Sequence, residues 1–174
     1  MICTFAMKRH STKKSIENTI NKLRSKIPDI HIRTTLITGL PGETVYDFEQ
    51  LYEFINDIKF ERLGVFTYSQ EEGTVAAAMP DQLPEKIKEE RKDIIMRLQM
   101  EISLELNKSK IGQVFDVLVE DCEDDGTYIG RTRFDAPDID NTVLFTSQRA
   151  IKKGALVKVK IEDAFDYDLT GTEV

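Results

Sequence analysis

The clearest candidate for chemistry in this sequence is the run Gly39-Leu40-Pro41-Gly42-Glu43-Thr44. It follows a segment rich in β-branched residues and precedes an amphipathic one, so we expect it to join a strand to a helix N-terminus. Folds with parallel strands bind ligands at the carboxyl ends of those strands. The run lacks the dinucleotide and phosphate-loop signatures. Two interpretations are therefore open, a ligand-binding turn and a simple capped turn.

The sequence gives little support to metal or redox chemistry. Cys3 and Cys122 are its two cysteines and lie far apart, so they form neither a disulfide framework nor a metal motif. We interpret both as free structural thiols. His10 and His31 have no partner at metal-ligand spacing. We therefore assign no catalytic and no metal-binding residue.

The elements around the glycine-rich run alternate between helix and strand. Apolar residues at helical spacing predict a helix over 12–27, and β-branched or apolar runs predict strands over 31–38 and 63–68. Between the strands, Thr44 and Asp47 have the spacing of an N-cap and an acidic residue in the first helical turn. This order predicts parallel strands with right-handed crossovers, as in an α/β barrel or a doubly wound sheet.

The charged and apolar residues add detail to the elements predicted for residues 1–109. The strand over 63–68 is almost continuously apolar, which is typical of burial on both faces. Arg33 and Glu43 lie beside apolar segments and are either surface charges or paired structural ions. After a loop over 69–84, a long helix is expected over 85–108. Its predicted apolar side comprises Ile87, Ile94, Leu98 and Ile102.

From Gly112 onward the pattern changes to short strands separated by Asp, Gly and Asn turns. Five strands in so short a segment favour a small closed antiparallel barrel, because closure removes exposed sheet edges. The predicted domains are therefore an α/β part, 1–109, and an all-β part, 110–174. The predicted strands are 114–119, 128–132, 143–145, 156–161 and 167–171.

Charge is distributed unevenly between the two parts. The chain of 174 residues has a net charge of -7, and residues 110–174, with 8 basic and 14 acidic side chains, account for -6 of it. Phosphate contacts dominate nucleic-acid affinity, so an acidic barrel suits a basic partner better than RNA, unless its surface is merely solvated. No apolar run approaches a membrane span and no signal peptide is recognisable, so we expect a cytoplasmic protein without membrane contact.

Several segments, in order and spacing, resemble one known family. The later part of the radical S-adenosylmethionine domain of methylthiotransferases is resembled by the segments Ala6–Arg9, Ile32–Thr44, Phe66–Ser69 and Glu72–Ala77. The tail resembles the C-terminal TRAM domain of that family at Gly112, Gly130-Arg131 and the segments 136–140 and 164–171. The resemblance implies a partial, truncated radical S-adenosylmethionine barrel of the TIM type, followed by a five-stranded antiparallel TRAM barrel that is OB-like.

The resemblance also implies which residues bind the cofactor. Residues of the first strand and the glycine-rich run would line the adenosine side, and residues at the end of the next strand would adjoin them. Ordinary strand core or polar loop positions are the alternative interpretation. The implied residues are Leu36, Ile37, Gly39, Leu40, Pro41, Gly42, Phe66, Tyr68 and Ser69.

Within the family, the acidic second part and the motif Ala136–Asp140 favour the RimO-type enzymes, which modify an aspartate of a small-subunit ribosomal protein. The full-length enzyme would use S-adenosylmethionine and 4Fe-4S clusters. The three-cysteine cluster motif has no counterpart here, so we expect a C-terminal portion that is inactive alone and holds neither cofactor stably.

Two alternatives to the RimO type remain open at this point. One is a tRNA adenosine methylthiotransferase, and the other is a non-catalytic module that binds a basic protein. The expected partner is a basic ribosomal protein bound through the acidic barrel, with tRNA less favoured. We also expect self-association through an uncovered sheet edge within residues 30–70.

Overall fold

The structure is a computed structural model that describes residues 11–137 and 139–174. The predictions for Cys3, His10 and the segment 6–9 lie outside the described residues. The chain divides into two compact units between Gln99 and Met100, and the domain boundary expected at 109/110 stays a prediction. In the described part of the chain, no helix is long and apolar enough to cross a membrane.

The first unit alternates helices and strands in the predicted order. Its two strands pair in parallel, with Arg33 opposite Arg62 and Thr38 opposite Thr67. Two strands do not establish a barrel, so the truncated radical S-adenosylmethionine barrel stays an expectation. The elements are α1 (Lys13–Lys26), β1 (Arg33–Thr38), α2 (Val45–Ile58), β2 (Arg62–Thr67), a short 3-10 helix (Ala76–Ala78) and α3 (Glu85–Lys108), which continues into the second unit.

A capping box starts α2, as the sequence predicts. The Asp47 backbone N–H donates to Thr44 Oγ1 at 3.1 Å, and the Thr44 backbone N–H donates to Asp47 Oδ2 at 3.1 Å. The Thr44 hydroxyl also donates to Oδ2, at 2.6 Å. This hydrogen bond from Thr44 lowers the pKa of the Asp47 carboxyl below its ordinary value of 3.8.

The capping box makes the stability of this helix dependent on pH. Because the pKa of Asp47 is lowered in the folded state, its ionised carboxylate stabilises the folded protein above pH 3.8. This stabilisation is lost as the pH falls through the folded-state pKa. We expect Asp47→Asn to lower the free energy of unfolding by about 0.5–1 kcal/mol at neutral pH and by almost nothing near pH 2. Urea denaturation at both pH values measures this. The exposed Glu49→Gln on the same helix is the control, and an equal loss at both pH values for Asp47→Asn would contradict the assignment.

The two faces of the β1–β2 sheet differ in burial. Leu63 and Val65 are buried. On the other face, Ile37 and Phe66 are register partners and are 46% and 65% exposed. The expectation that β2 is buried on both faces is therefore wrong in this structure, because its apolar residues alternate between a covered and an open face.

Of the predicted apolar side of α3, Leu98 and Ile102 are buried as expected, whereas the buried positions nearer the start of the helix are shifted by one residue from Ile87 and Ile94. Ile95 is fully buried, whereas Ile94 is only partly buried. Lys88 and Arg91 lie on the same buried side. A helix places residues three and four apart on one side, so the spacing from Lys88 through Arg91 to Ile95 and Leu98 follows one line.

The second unit contains a closed five-stranded barrel with strand order β3-β4-β5-β7-β6. The closed barrel is confirmed, but the expectation of a wholly antiparallel sheet is wrong, because β5 and β7 pair in parallel. Two chain reversals separate these strands, and β7 inserts between β5 and β6, so it runs in the direction of β5. The strands are β3 (Val114–Cys122), β4 (Tyr128–Thr132), β5 (Val143–Thr146), β6 (Leu156–Ala164) and β7 (Leu169–Glu173).

Candidate functional site

The glycine-rich run forms a tight connection between β1 and α2. Gly39 and Gly42 have φ values of +79° and +77°, in the left-handed region that favours glycine. The Glu43 N–H donates to the Leu40 carbonyl at 3.0 Å, and the Gly42 N–H donates to the Asp81 carbonyl, also at 3.0 Å. The conformation of the turn therefore accounts for both glycines.

A buried ion pair holds this turn. Arg91 Nη1 donates to Glu43 Oε1 and, at 3.2 Å, to the Glu43 carbonyl oxygen. The Gly39 N–H donates to Glu43 Oε2 at 3.0 Å, and the Arg91 guanidinium lies 5.3 Å from the centre of the Phe48 ring. Of the two roles open from the sequence, Glu43 is the paired structural ion. Arg33 is exposed.

Lys88 reaches the end of the neighbouring strand. Its ammonium donates to the Tyr68 carbonyl at 2.9 Å and to Glu85 Oε2 at 3.1 Å. A Cβ atom on Gly39 would lie 2.4 Å from Lys88 Cγ, so the lysine stem fills the space that a side chain at Gly39 would need. Two cations of α3 thus bind the segments that follow β1 and β2.

Sequence reasoning missed Lys88 and Arg91 as site residues. Charged residues on a helix usually face solvent, and neither residue is among those predicted for the apolar side of α3. One signal was present in the sequence. Successive intervals of three, four and three residues separate Lys88, Arg91, Ile95 and Leu98, and the last two are buried.

The nine predicted cofactor-binding residues lie in several environments. Ile37 and Phe66 are side by side on the open face of the sheet. Leu36, Ile37 and Leu40 line a cavity of about 340 Å³ in the first unit. Gly39, Pro41 and Tyr68 are buried, whereas Gly42 and Ser69 are exposed. The structure thus brings most of them to the carboxyl ends of the two strands, without enclosing them in one pocket.

The cavity lies beside α1, β1 and α2. Its walls are mainly apolar, with the Glu43 and Asp47 side chains near the turn. It is large enough for a small apolar group. The remaining lining residues are Lys13, Ile16, Tyr46, Gln50, Leu51 and Phe54.

Two hydroxyl groups at the strand ends are buried without a hydrogen-bond partner among the described residues. They are Thr38 Oγ1 and Tyr68 Oη. The Tyr68 N–H donates to the Thr38 carbonyl at 2.9 Å, so these residues are neighbours. Residues 11–137 and 139–174 contain no group of three side chains that could hold a metal ion. The two unpartnered hydroxyl groups thus lie beside the glycine-rich turn, at the ends of β1 and β2.

The comparisons with known proteins agree with this architecture. Residues 111–174 match the family model of the TRAM domain, which covers the closed barrel. Over 168 residues, or 95% of its length, the chain is 53% identical to the ribosomal protein uS12 methylthiotransferase RimO of Desulforamulus reducens. It is 47% identical to the protein of that name from Clostridioides difficile and 48% identical to the one from Acetivibrio thermocellus.

The chain spans 38% of the Desulforamulus reducens protein and 37% of the other two. The resemblance to RimO-type methylthiotransferases and to their TRAM domain, predicted from the sequence, is confirmed. The relatives are methylthiotransferases.

Proposed function

We propose that the chain is part of a radical S-adenosylmethionine methylthiotransferase that modifies an aspartate of ribosomal protein uS12. The observation that carries this proposal is the similarity to proteins named for one activity, which extends over 95% of the chain and therefore over both units. We expect such an enzyme to act in the cytoplasm, where ribosomes are assembled. No observation favours tRNA or a non-catalytic role to the same degree.

In this proposal, the first unit contributes one side of the cofactor site. The apolar surface of Ile37 and Phe66 suits the flat face of an adenine ring, and it adjoins the backbone of the Gly39–Gly42 turn. The ion pair between Glu43 and Arg91 fixes this turn before a ligand binds, which reduces the entropic cost of binding.

The bound cofactors would supply the radical chemistry and the methylthio group. The described residues bind and orient, and none of them moves a proton in this account. Iron–sulfur clusters need several thiolate ligands, and the sequence has two cysteines. Since Cys122 is an exposed residue of the barrel, we expect the chain alone to hold neither 4Fe-4S clusters nor S-adenosylmethionine stably.

The second unit contributes the docking surface for the protein substrate. Residues 110–174 have a net charge of -6, which attracts a basic ribosomal protein and repels the phosphates of tRNA. The proposed roles are therefore cofactor contact in the first unit and substrate binding in the barrel.

A competition experiment tests the choice of partner. The purified chain is incubated with labelled uS12 and unlabelled tRNA over a series of salt concentrations. A second series uses labelled tRNA and unlabelled uS12. We expect uS12 to bind, tRNA to compete poorly and affinity to fall as salt screens the charges over a Debye length of about 8–10 Å. A basic protein unrelated to the ribosome is the control for unspecific attraction. Preferential binding of tRNA would refute the proposed substrate.

The open face of the first unit leads to a prediction about self-association. Ile37 and Phe66 are exposed, and among the described residues β1 pairs on one edge only, with β2. Such edges recruit strands from another copy, so we expect the isolated chain to dimerise as its concentration rises. Light scattering measures the mass, and Ile37→Asp should restore the monomer. A mass that stays at 19.9 kDa at high concentration would contradict the prediction.

A further inference from the structure

We propose that Lys88 is a positioning residue of the cofactor site, which holds the ends of β1 and β2 at a fixed separation. This inference rests on the proposed function, which assigns residues at both strand ends to the adenosine side of that site. Lys88 is not among those residues and lies 20 positions beyond Tyr68 in the sequence. It acts through two residues that are, Gly39 and Tyr68.

The Lys88 side chain contacts both strand ends at once. Its aliphatic stem lies against Gly39, because a Cβ atom built on that glycine would overlap the Cβ, Cγ and Cδ atoms of the lysine. Its ammonium donates to the Tyr68 carbonyl at 2.9 Å and lies 5.3 Å from the centre of the Tyr68 ring. One side chain therefore spans the gap between the glycine-rich turn and the segment that follows β2.

These strand ends adjoin the surface proposed for the adenine ring. Ile37 and Phe66, which form that surface, are register partners. Gly39 and Tyr68 each stand two positions further along the chain, and the Tyr68 N–H donates to the Thr38 carbonyl at 2.9 Å. A change in the separation of Gly39 and Tyr68 therefore alters the surface that receives the ring. Small displacements of binding groups have large effects on affinity.

Arg91, the other buried cation at this end of α3, has a different role. Its guanidinium binds Glu43 and lies 5.3 Å from the centre of the Phe48 ring, and both of these residues follow β1. Arg91 therefore fixes the conformation of the glycine-rich turn itself. Lys88 fixes the distance from that turn to the end of β2.

The burial of Lys88 indicates a role beyond stability. The residue is 6% exposed, and the burial of an ammonium group carries a large desolvation cost. The ammonium donates to Glu85 Oε2 at 3.1 Å, but the Glu85 side chain is 66% exposed, so solvent screens this pair. Methionine would fill the space beside Gly39 without burying a charge. Buried charges that do not favour stability are typical of functional sites.

Amide hydrogen exchange in the full chain tests the positioning itself. Lys88→Met keeps the stem beside Gly39 and removes the ammonium, so we expect exchange at the Tyr68 amide to become about tenfold faster. The central amides of β1 and β2 should exchange as before, which separates this effect from a general loss of stability. Lys86→Met makes the same change on α3 at a side chain that is 85% exposed, and it should leave the Tyr68 amide unchanged. Equal exchange at that amide in the two variants overturns the inference.

The affinity for S-adenosylmethionine tests the consequence for the cofactor. Isothermal titration measures it in a cluster-loaded chimera, in which the chain replaces the aligned region of the Desulforamulus reducens relative. We expect Lys88→Met to weaken binding about tenfold and Lys86→Met by about twofold or less. Lys88→Arg can still donate to the Tyr68 carbonyl, so it should recover most of the loss, to within about threefold of the unmodified chimera.

The outcomes separate the inference from the proposed function. If the unmodified chimera binds S-adenosylmethionine and Lys88→Met binds it as tightly, the inference is overturned and the proposed function stands. If a folded, cluster-loaded chimera without substitutions binds none, both fail together. Circular dichroism shows whether each variant folds. Should Lys88→Met unfold, Lys88→Gln replaces it and should weaken binding in the same direction, because its shorter side chain does not reach the Tyr68 carbonyl.

Discussion

Arg91→Met is expected to lower the free energy of unfolding of the first unit by about 3–5 kcal/mol. The substitution leaves the buried Glu43 carboxylate without its cation, although the Gly39 N–H still donates to it. Uncompensated buried charge is among the most costly single changes in a protein core. Urea denaturation followed by circular dichroism measures the loss, and hydrogen exchange at the Gly39 amide reports whether the turn itself loosens.

Two further variants test whether the loss of stability comes from the buried ion pair. Arg97→Met changes the same residue type at an exposed position of α3 and should alter stability by about 0.5 kcal/mol or less. The double variant Glu43→Gln/Arg91→Met should recover much of the loss, since it removes both charges. If Arg91→Met behaves like Arg97→Met, the ion pair does not hold the turn.

Gly171→Ala is expected to destabilise the barrel by about 3 kcal/mol. A Cβ atom at this position would lie 2.2 Å from the Lys160 carbonyl oxygen and 3.0 Å from Val159 Cγ1. Both neighbours belong to β6, which pairs with β7, so the backbone can retreat only by breaking the ladder that closes the barrel. Thermal denaturation followed by circular dichroism measures the effect.

Gly64→Ala is the matched control for this substitution. Gly64 lies in β2, and nothing lies within 4 Å of a Cβ atom built there. We expect it to be neutral or slightly stabilising, because alanine reduces the entropy of the unfolded chain. Equal tolerance of the two substitutions would show that β6 and β7 approach less closely than the structure indicates.

The helices and strands were predictable from the sequence because local signals agreed with the fold. Three features depend only on neighbours along the chain: the Thr44–Asp47 cap, the end of β1 before Gly39, and the change to short strands after Gly112. The parallel pairing of β5 and β7 was not predictable, since it follows from how the barrel closes. The face that each strand residue presents also depends on which helices cover the sheet.

The candidate site was predictable only in part for the same reason. The glycine-rich turn has a local signature, but Arg91 lies 48 positions from Glu43. No local pattern indicates that a charged helix residue reaches so distant a carboxylate. The helical spacing of Lys88 and Arg91 with Ile95, which is buried, was the available signal, but the predicted apolar side of α3 included Ile94 instead of Ile95. The roles of the nine predicted cofactor-binding residues stay predictions.

The most direct test of the proposed function is a chimera. The region of the Desulforamulus reducens relative that aligns with this chain over 168 residues is replaced by the chain, and the chimera is loaded with clusters and S-adenosylmethionine. Mass spectrometry of uS12 after incubation shows whether a methylthio group has been added to an aspartate. The proposed function predicts modification of uS12 and none of tRNA. A folded, cluster-loaded chimera that leaves uS12 unmodified, or modifies tRNA instead, would contradict it.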